Sequence, residues 1–458
     1  MARVFWFRRD LRLQDNVALN QAISGAIFDG DKLVTGIYVI NKNVFQKLLP
    51  IRQASLIESL KSLDRSMDGN LVTRFGNVAK EIVEVAQSAG TATVHATRSF
   101  DPDGIAEQNE VGLALKKINV FLQLDDSYYA VAPGSVTKDD GLPYRVYTPF
   151  YNNWTKLGWP APVKLGKGFS WSKAVPSSEL PKISGAVPFQ IKAGEDFATK
   201  TFSAFKKRAL ENYHEVRNRA DLSGTSHLSH ALAHGEIHPR TLLSQLEPFD
   251  SESDGATVFR KEIAWREFYA DVLWHNPHTT TEYYDKKYAQ MRYDTGAAAE
   301  KKLSAWKSGN TGYPMVDAGM RQLTQTGWMH NRVRMIVASF LVKDLHLEWQ
   351  LGAKWFEENL TDFDPASNAH GWQWTAGCGT DASPYFRIFN PVLQGLKFDP
   401  NGEYVRKYIP ELSHLSGAQV HEPWEHAEGY DGGYAERIVD HSIERDESLA
   451  RLAEIKAQ

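Results

Sequence analysis

A single cysteine, Cys378, is all that the 458 residues contain. This excludes an internal disulfide, a four-thiolate zinc site and a cysteine-held iron–sulfur cluster, and it fits a reducing compartment. No stretch approaches the roughly 18 consecutive apolar residues of a membrane span. The opening MARVFWFRRDLRLQDN also lacks the apolar core of a signal peptide. The expected location is the cytoplasm, with no membrane as partner. Net charge is low as well, −4 at neutral pH, so nothing draws the chain as a whole to nucleic acid and any polyanion site has to be a local cationic patch. What is present is globular: hydrophobic residues make up 42% and charged residues 24%, which argues against disorder. The length exceeds what one core fills, so two or three domains are expected.

From residue 3 to about 125, short apolar runs (VFWF, LVTGIYVI, LVTRF, TVHA and VFLQL) alternate with helical patterns such as IRQASLIESLKSL. The alternation predicts an α/β N-terminal domain, residues 1–130, with a Rossmann-like parallel sheet between helices. No Gly-x-Gly-x-x-Gly follows any of these runs, so the usual dinucleotide fingerprint is missing. Residues 131–196 are rich in Pro, Gly, Ser and Lys and show little periodicity, which predicts a long connector. From 197 to 458 the 3-and-4 spacing of FSAFKKRALENYHEVRNRAD, TVFRKEIAWREFYADVLWHN and NRVRMIVASFLVKDLHLEWQ predicts an all-helical domain. No internal repeat interrupts either part.

Four histidines, His227, His230, His234 and His238, follow one another at spacings of three, four and four. A helix ending at Gly235 would bring several imidazoles together. No His-Glu-x-x-His is present and His238 precedes Pro239, so capping and polar roles outweigh a metal, and none is expected. Gly224-Thr225-Ser226-His227-Leu228-Ser229 offers hydroxyls and backbone N–H groups at a helix start, a favourable place for an anion but equally an ordinary N-cap. In Asn331-Arg332-Val333-Arg334-Met335, helical spacing puts Asn331, Arg334 and Met335 on one face and Arg332 elsewhere. The apolar continuation MIVASFLV predicts that this helix is partly buried. A buried arginine needs a carboxylate, and Asp362 and Asp364 are the candidates. Tryptophans also cluster beside cations: Trp265 with Arg266, Trp328 before Arg332, Trp372 and Trp374 before Arg387. Aromatic faces stack on bases and arginines hold phosphates, although helical cores use tryptophan routinely too.

TGYPMVDAGMRQL at 311–323 and NRVRMIVASFLVKDLHLEW at 331–349 resemble the signature segments of the DNA photolyase and cryptochrome family. The resemblance extends from WFRRDLRLQDN through YTPFYNNW, GTSHLS, WREFY and GWQWTAGCGTDASPYFRIFNP to HEPW, almost the whole chain. It is closest to the class I cyclobutane pyrimidine dimer photolyases. It implies a flavoprotein in which the helical domain holds FAD and the N-terminal domain can hold an antenna chromophore. By that resemblance Tyr213 and Thr225, Ser226, His227, Leu228 and Ser229 cradle the pyrophosphate. Phe259, Glu262 and Arg266 line the pocket, Arg334 pairs with Asp362, Asp364 and Asn368 lie on the isoalloxazine side, and Asn331 faces flavin N5. An amide there hydrogen-bonds a reduced flavin without readily protonating it.

The same resemblance implies UV-damaged DNA as partner, bound by a monomer. Trp265 and Trp374 match the apolar wall for a flipped dimer, with Met335 beside it; Glu262 matches the contact to the pyrimidine carbonyl edge. Arg217, Arg332 and Arg387 match phosphate contacts. Trp372 and Trp349 match the first two members of an electron relay. The third tryptophan is replaced by Tyr293, or Trp306 takes its place. His227 departs from the arginine usual in the phosphate loop. For the antenna, Asp103-Gly104 stands where a folate-binding Asn-Glu is expected, whereas Arg52, Asp101 and Asp103 resemble contacts to 8-hydroxy-5-deazaflavin. Methenyltetrahydrofolate and the deazaflavin both remain candidates. The implied activity is light-driven repair of cyclobutane pyrimidine dimers by electron transfer from excited FADH⁻; the alternative is a blue-light cryptochrome without repair. Asn331, where plant cryptochromes carry Asp and animal ones Cys, the dimer-pocket residues and the short stretch after HEPW favour repair. A lone His330 near Trp328, where the six-four branch shows a histidine pair, disfavours that branch.

Overall fold

A computed structural model describes residues 2–187, 189–246, 255–381 and 386–456. By contact they form two units, residues 1–210 with 226–277 and residues 211–225 with 278–458.

The first unit is built on a parallel sheet. Strands β1 (Arg3–Phe7), β2 (Leu33–Asn41), β3 (Val72–Gly76), β4 (Thr93–Thr97) and β5 (Phe121–Asp125) lie in the order β3-β2-β1-β4-β5, each close to where the apolar runs predict it. Central β1 registers Arg3 on Val34 and Val4 on Val94. Because successive side chains point to opposite faces, Phe5 and Phe7 join one buried cluster while Val4 and Trp6 join another. A strand buried on both faces reads as a continuous apolar run, and VFWF does. The chain lays β2 and β3 to one side of β1, then crosses to place β4 on the other. The carboxyl ends of β1 and β4 therefore form the switch point at which such sheets take ligands.

The connector is more ordered than its composition suggests. Tyr147–Leu157 is helical, and Ser170–Trp171 adds a sixth strand, β6, on β2. Tyr147, Phe150 and Trp154 are buried, an apolar face with 3-and-4 spacing that the surrounding Pro and Gly obscured. The helix Gly255–His275 fastens this region. Its Glu267 accepts hydrogen bonds from Ala130 N (2.5 Å), Val131 N (3.1 Å) and Trp154 Nε1 (2.6 Å), and Asp271 one turn later accepts from Gly134 N at 2.7 Å. Residues 197–210 and 226–277 group with the sheet, although helical periodicity alone placed a boundary at 197. Periodicity reports local structure, not the surface it packs on.

The second unit is helical around a core from Pro314–Thr326, Asn331–Lys343, Trp349–Asn359 and Pro365–Ala376. Its last helix, His441–Lys456, buries little and is held mainly by charge: Arg451 bonds Asp294 at 2.8 Å, and His346 Nε2 lies 2.6 Å from Glu444. No helix among the described residues is long and apolar enough to cross a membrane.

Burial pushes the Glu267 carboxyl up to about 7 in spite of its three N–H donors. Glu267→Ala would leave those donors unpaired in a dry interior, at about 1–3 kcal/mol each before relaxation. The expected loss is about 3 kcal/mol or more, read as a shift of the urea midpoint at unchanged m-value; a change below about 1 kcal/mol would show that the carboxylate does not organise this strap.

Candidate functional site

In the second unit the site begins at the N-terminus of Asn331–Lys343. His330 is the N-cap, its Nδ1 accepting from Arg332 N at 3.1 Å. Asn331 is exposed and Met335 half-buried. Arg334 donates from Nη2 to Asp362 Oδ2 at 2.7 Å and from Nε to the Met329 carbonyl at 2.8 Å. The other oxygen, Asp362 Oδ1, is buried with no hydrogen-bond partner among the described residues. Asp364 accepts from Ser367 N at 2.9 Å and so caps the helix Pro365–Ala376, and Asn368 Nδ2 donates to Ala353 O at 3.0 Å. The pairing thus falls on Asp362, while Asp364 starts the next helix. Arg332 points away and donates to Asn218 Oδ1 at 2.8 and 3.1 Å, with its guanidinium 4.7 Å from the Phe398 ring. Tyr213 is buried and Arg217 lies 6.0 Å from its ring; Thr225 is half-buried.

The two tryptophans expected to form a relay lie deep in the same unit, Trp372 2% and Trp349 0% exposed. Trp372 packs on the helix that Trp349 begins, and a Cβ at Gly352 would come within 2.1 Å of its ring, so only glycine admits the indole there. Trp306 is fully buried, its ring 6.1 Å from Trp372 and its Nε1 donating to Val337 O at 3.0 Å. Tyr293 is half-buried, with its phenol near that of Tyr283. It is Tyr283 whose ring stands edge-on to Trp349, 6.2 Å away. Sequence reasoning passed over Tyr283; its signal was the aromatic run TEYYDKKY. Trp374 is half-buried and donates from Nε1 to Asp381 O at 3.1 Å, while Arg387 is exposed. The Arg387 carbonyl accepts from the buried ammonium of Lys343, which also faces the Phe386 ring at 4.2 Å.

In the first unit, Phe259, Glu262, Trp265 and Arg266 all come from Gly255–His275. Phe259 is buried against Phe202 and Phe205, with ring centroids 6.0 and 5.0 Å away. Glu262 is half-buried. Trp265 stacks on Tyr147 at 3.8 Å with planes 6° apart. Arg266 donates to the carbonyls of Tyr128 and Leu232 at 3.3 Å each and covers the Tyr129 ring at 4.5 Å. In the loop before the helix Ser229–His234, Ser226 Oγ accepts from Leu228 N at 3.4 Å, Leu228 is buried, and exposed His227 takes positive φ, 53°. The helix ends at Gly235, where a Cβ would strike the Arg9 carbonyl at 1.9 Å, so the chain approach there requires glycine. His238 caps the following helix, its Nδ1 accepting from Arg240 N at 3.1 Å.

At the sheet's switch point, Arg8 donates to Gly104 O at 2.7 Å and Glu107 at 3.1 Å, and Asp10 accepts from Arg8 N and Thr97 Oγ1 at 2.7 and 2.6 Å. Of the antenna candidates, Asp101 caps the helix Pro102–Lys116 through Gly104 N at 2.9 Å, Asp103 is exposed in its first turn, and Arg52 is half-buried.

The described residues thus form a doubly wound α/β unit and a helical unit that holds an arginine–carboxylate pair and buried indoles. The comparisons supply the family. The model of the FAD binding domain of DNA photolyase matches residues 259–454 and that of DNA photolyase matches 3–165. The deoxyribodipyrimidine photo-lyase of Agrobacterium fabrum is 37% identical, with 99% of this chain and 98% of that protein covered. A bacterial class III photolyase from Agrobacterium tumefaciens superimposes with a TM-score of 0.89 at 36% identity, covering 100% and 98%. A Synechocystis cryptochrome gives 0.89 at 25%, covering 98% of each chain. The chain belongs to the DNA photolyase family.

Burial lowers the Lys343 ammonium to about 7 from its ordinary 10.5. The unfolded chain therefore binds the extra proton between those values, and stability from this group rises as pH climbs from about 7 to 10.5. Lys343→Met should remove that rise. The wild-type minus variant difference in unfolding free energy, measured in urea across this interval, is expected to move in favour of wild type with increasing pH; a flat difference refutes the assignment.

Proposed function

We propose that this chain is a monomeric, cytoplasmic deoxyribodipyrimidine photo-lyase that repairs cyclobutane pyrimidine dimers in DNA under light, with FAD as cofactor and either a deazaflavin or a folate as antenna. The observation that carries the reading is the Arg334–Asp362 pair with its uncommitted oxygen Oδ1, one helical turn from Asn331. A buried carboxylate oxygen without a donor is costly, and a ring N–H of a bound flavin is a suitable partner. When bound and reduced, FAD supplies the light-excited electron.

The chain's own residues do the rest. Arg334 balances negative charge beside the cofactor, and the Asn331 amide offers a hydrogen bond without an acidic proton. Glu262 holds a proton or hydrogen bond at the pyrimidine carbonyl edge, where charge develops. Trp265 and Trp374 wall off water from a lesion swung out of its strand, a step that costs least for an already damaged pair. Arg217, Arg332 and Arg387 take phosphates, which sets register without reading sequence and weakens binding as salt rises. Trp372 and Trp349 pass electrons inward. The likeness to a cryptochrome at 25% identity keeps a photoreceptor as the second reading.

Illuminated, FAD-loaded and reduced protein should restore UV-irradiated oligothymidine, scored by chromatography; a yellow protein that leaves the dimers untouched would favour the photoreceptor. Glu262→Ala should lower repair per absorbed photon severalfold with flavin still bound, whereas lost flavin with unchanged yield per loaded molecule contradicts its role. Trp372→Phe should abolish light-driven reduction of the bound flavin yet repair normally once the flavin is reduced by dithionite. Failure of that repair would make Trp372 structural.

A further inference from the structure

We infer that Tyr283, with Glu348 as its proton acceptor, is the terminus of the electron relay. The inference rests on the proposed relay role of Trp372 and Trp349. Tyr283 is 7% exposed and lies edge-on to Trp349 with ring centroids 6.2 Å apart. Its hydroxyl donates to Glu348 Oε1 at 3.4 Å. Glu348 is the residue just before the helix Trp349–Asn359, makes no side-chain cap to it, and is exposed. The Tyr283 hydroxyl thus has the Glu348 carboxylate as its acceptor, and the phenol of Tyr293 lies nearby.

The chemistry of the two ring types explains why the hole stops there. An oxidised indole remains a strong oxidant as long as it keeps its N–H proton. The Nε1 atoms of Trp349 and Trp372 are buried with no acceptor among the described residues, so neither indole has a protein group to take that proton. A phenol behaves oppositely: losing an electron makes it strongly acidic, and it is oxidised readily only where a base takes the proton at once. Burial pushes both the Tyr283 and the Tyr293 phenol up, so each starts protonated at neutral pH.

In the transfer one electron passes from Tyr283 to the Trp349 radical cation and the hydroxyl proton passes to Glu348. The products are neutral indole, neutral phenoxyl and a protonated carboxyl, which releases its proton to solvent. A thiol in solution closes the cycle by giving one hydrogen atom to the phenoxyl, restoring Tyr283 and leaving a thiyl radical. Separation of the charge from Trp372 is thereby prolonged by removing the proton as well as by distance.

The test uses FAD-loaded full-length protein carrying ring-deuterated tyrosine, illuminated without thiol, frozen and examined by electron paramagnetic resonance, with flash absorption at room temperature. Wild type should give a deuterium-narrowed phenoxyl signal whose formation slows in D2O. Tyr283→Phe should lose that signal and leave a longer-lived indole radical. Glu348→Gln, a change at an exposed side chain, should slow phenoxyl formation by roughly tenfold or more and remove the solvent isotope effect. A phenoxyl that survives Tyr283→Phe but vanishes in Tyr293→Phe overturns the inference, as does a wild type showing only indole radicals. Trp372→Phe separates the two levels: loss of every radical there supports the relay beneath the inference, whereas an unchanged phenoxyl signal removes the relay itself.

Discussion

The ion pair between Arg334 and Asp362 is the constraint on which the helical unit's site depends. It joins the first turn of Asn331–Lys343 to the segment that leads into Pro365–Ala376, and Arg334 Nε adds the Met329 carbonyl to the same knot. Once those starts are fixed, Asn331 and Met335 follow on one helix and Asn368, Trp372 and Trp374 on the other, each at a position set by helical geometry. The two partners are not equivalent. The Asp362 side chain is 0% exposed and that of Arg334 is 23% exposed, so loss of the arginine would strand a buried carboxylate at about 3–5 kcal/mol. Loss of the aspartate would leave a guanidinium that still meets water.

Charge is arranged differently around Arg332, two residues before. Its Nε and Nη2 both donate to the amide oxygen of Asn218, which fixes the direction of the guanidinium. Asp362 holds Arg334 toward the interior, whereas the Asn218 amide holds Arg332. Two arginines two residues apart on one helix thus point to different partners.

Much of this was legible beforehand, and the boundary of what was legible is physical. The five main strands stood out because a parallel sheet covered on both faces needs continuous apolar runs, and the cost of an unpaired inward cation narrowed the Arg334 partner to Asp362 or Asp364, between which the structure decides for Asp362. For the remaining candidate site residues the resemblance offered roles by motif. The helix Tyr147–Leu157 was hidden because its apolar spacing sits between Pro- and Gly-rich flanks. The strap formed by Glu267 and Asp271 was hidden because its partners, three backbone N–H groups and the Trp154 indole, lie more than a hundred residues away and leave no mark in composition. Tyr283 was missed for a related reason. TEYYDKKY contains three tyrosines, and only packing shows which one touches Trp349.

Two aromatic exits lead away from the buried indoles, and proton chemistry distinguishes them where ring spacing does not. From Trp372 the ring of Trp306 is 6.1 Å away, and from Trp349 that of Tyr283 is 6.2 Å away. Trp306, however, is fully buried, and its N–H is bound to the Val337 carbonyl, a neutral acceptor too weakly basic to keep the proton of an oxidised indole. A hole there has no reason to stay. At Tyr283 an exposed carboxylate lies 3.4 Å from the hydroxyl, placed to take the proton that oxidation would release in the proposed relay. Under the proposed relay a phenol can hold the hole only where a base accompanies it, and for Tyr283 that base is Glu348, next to the helix Trp349 begins.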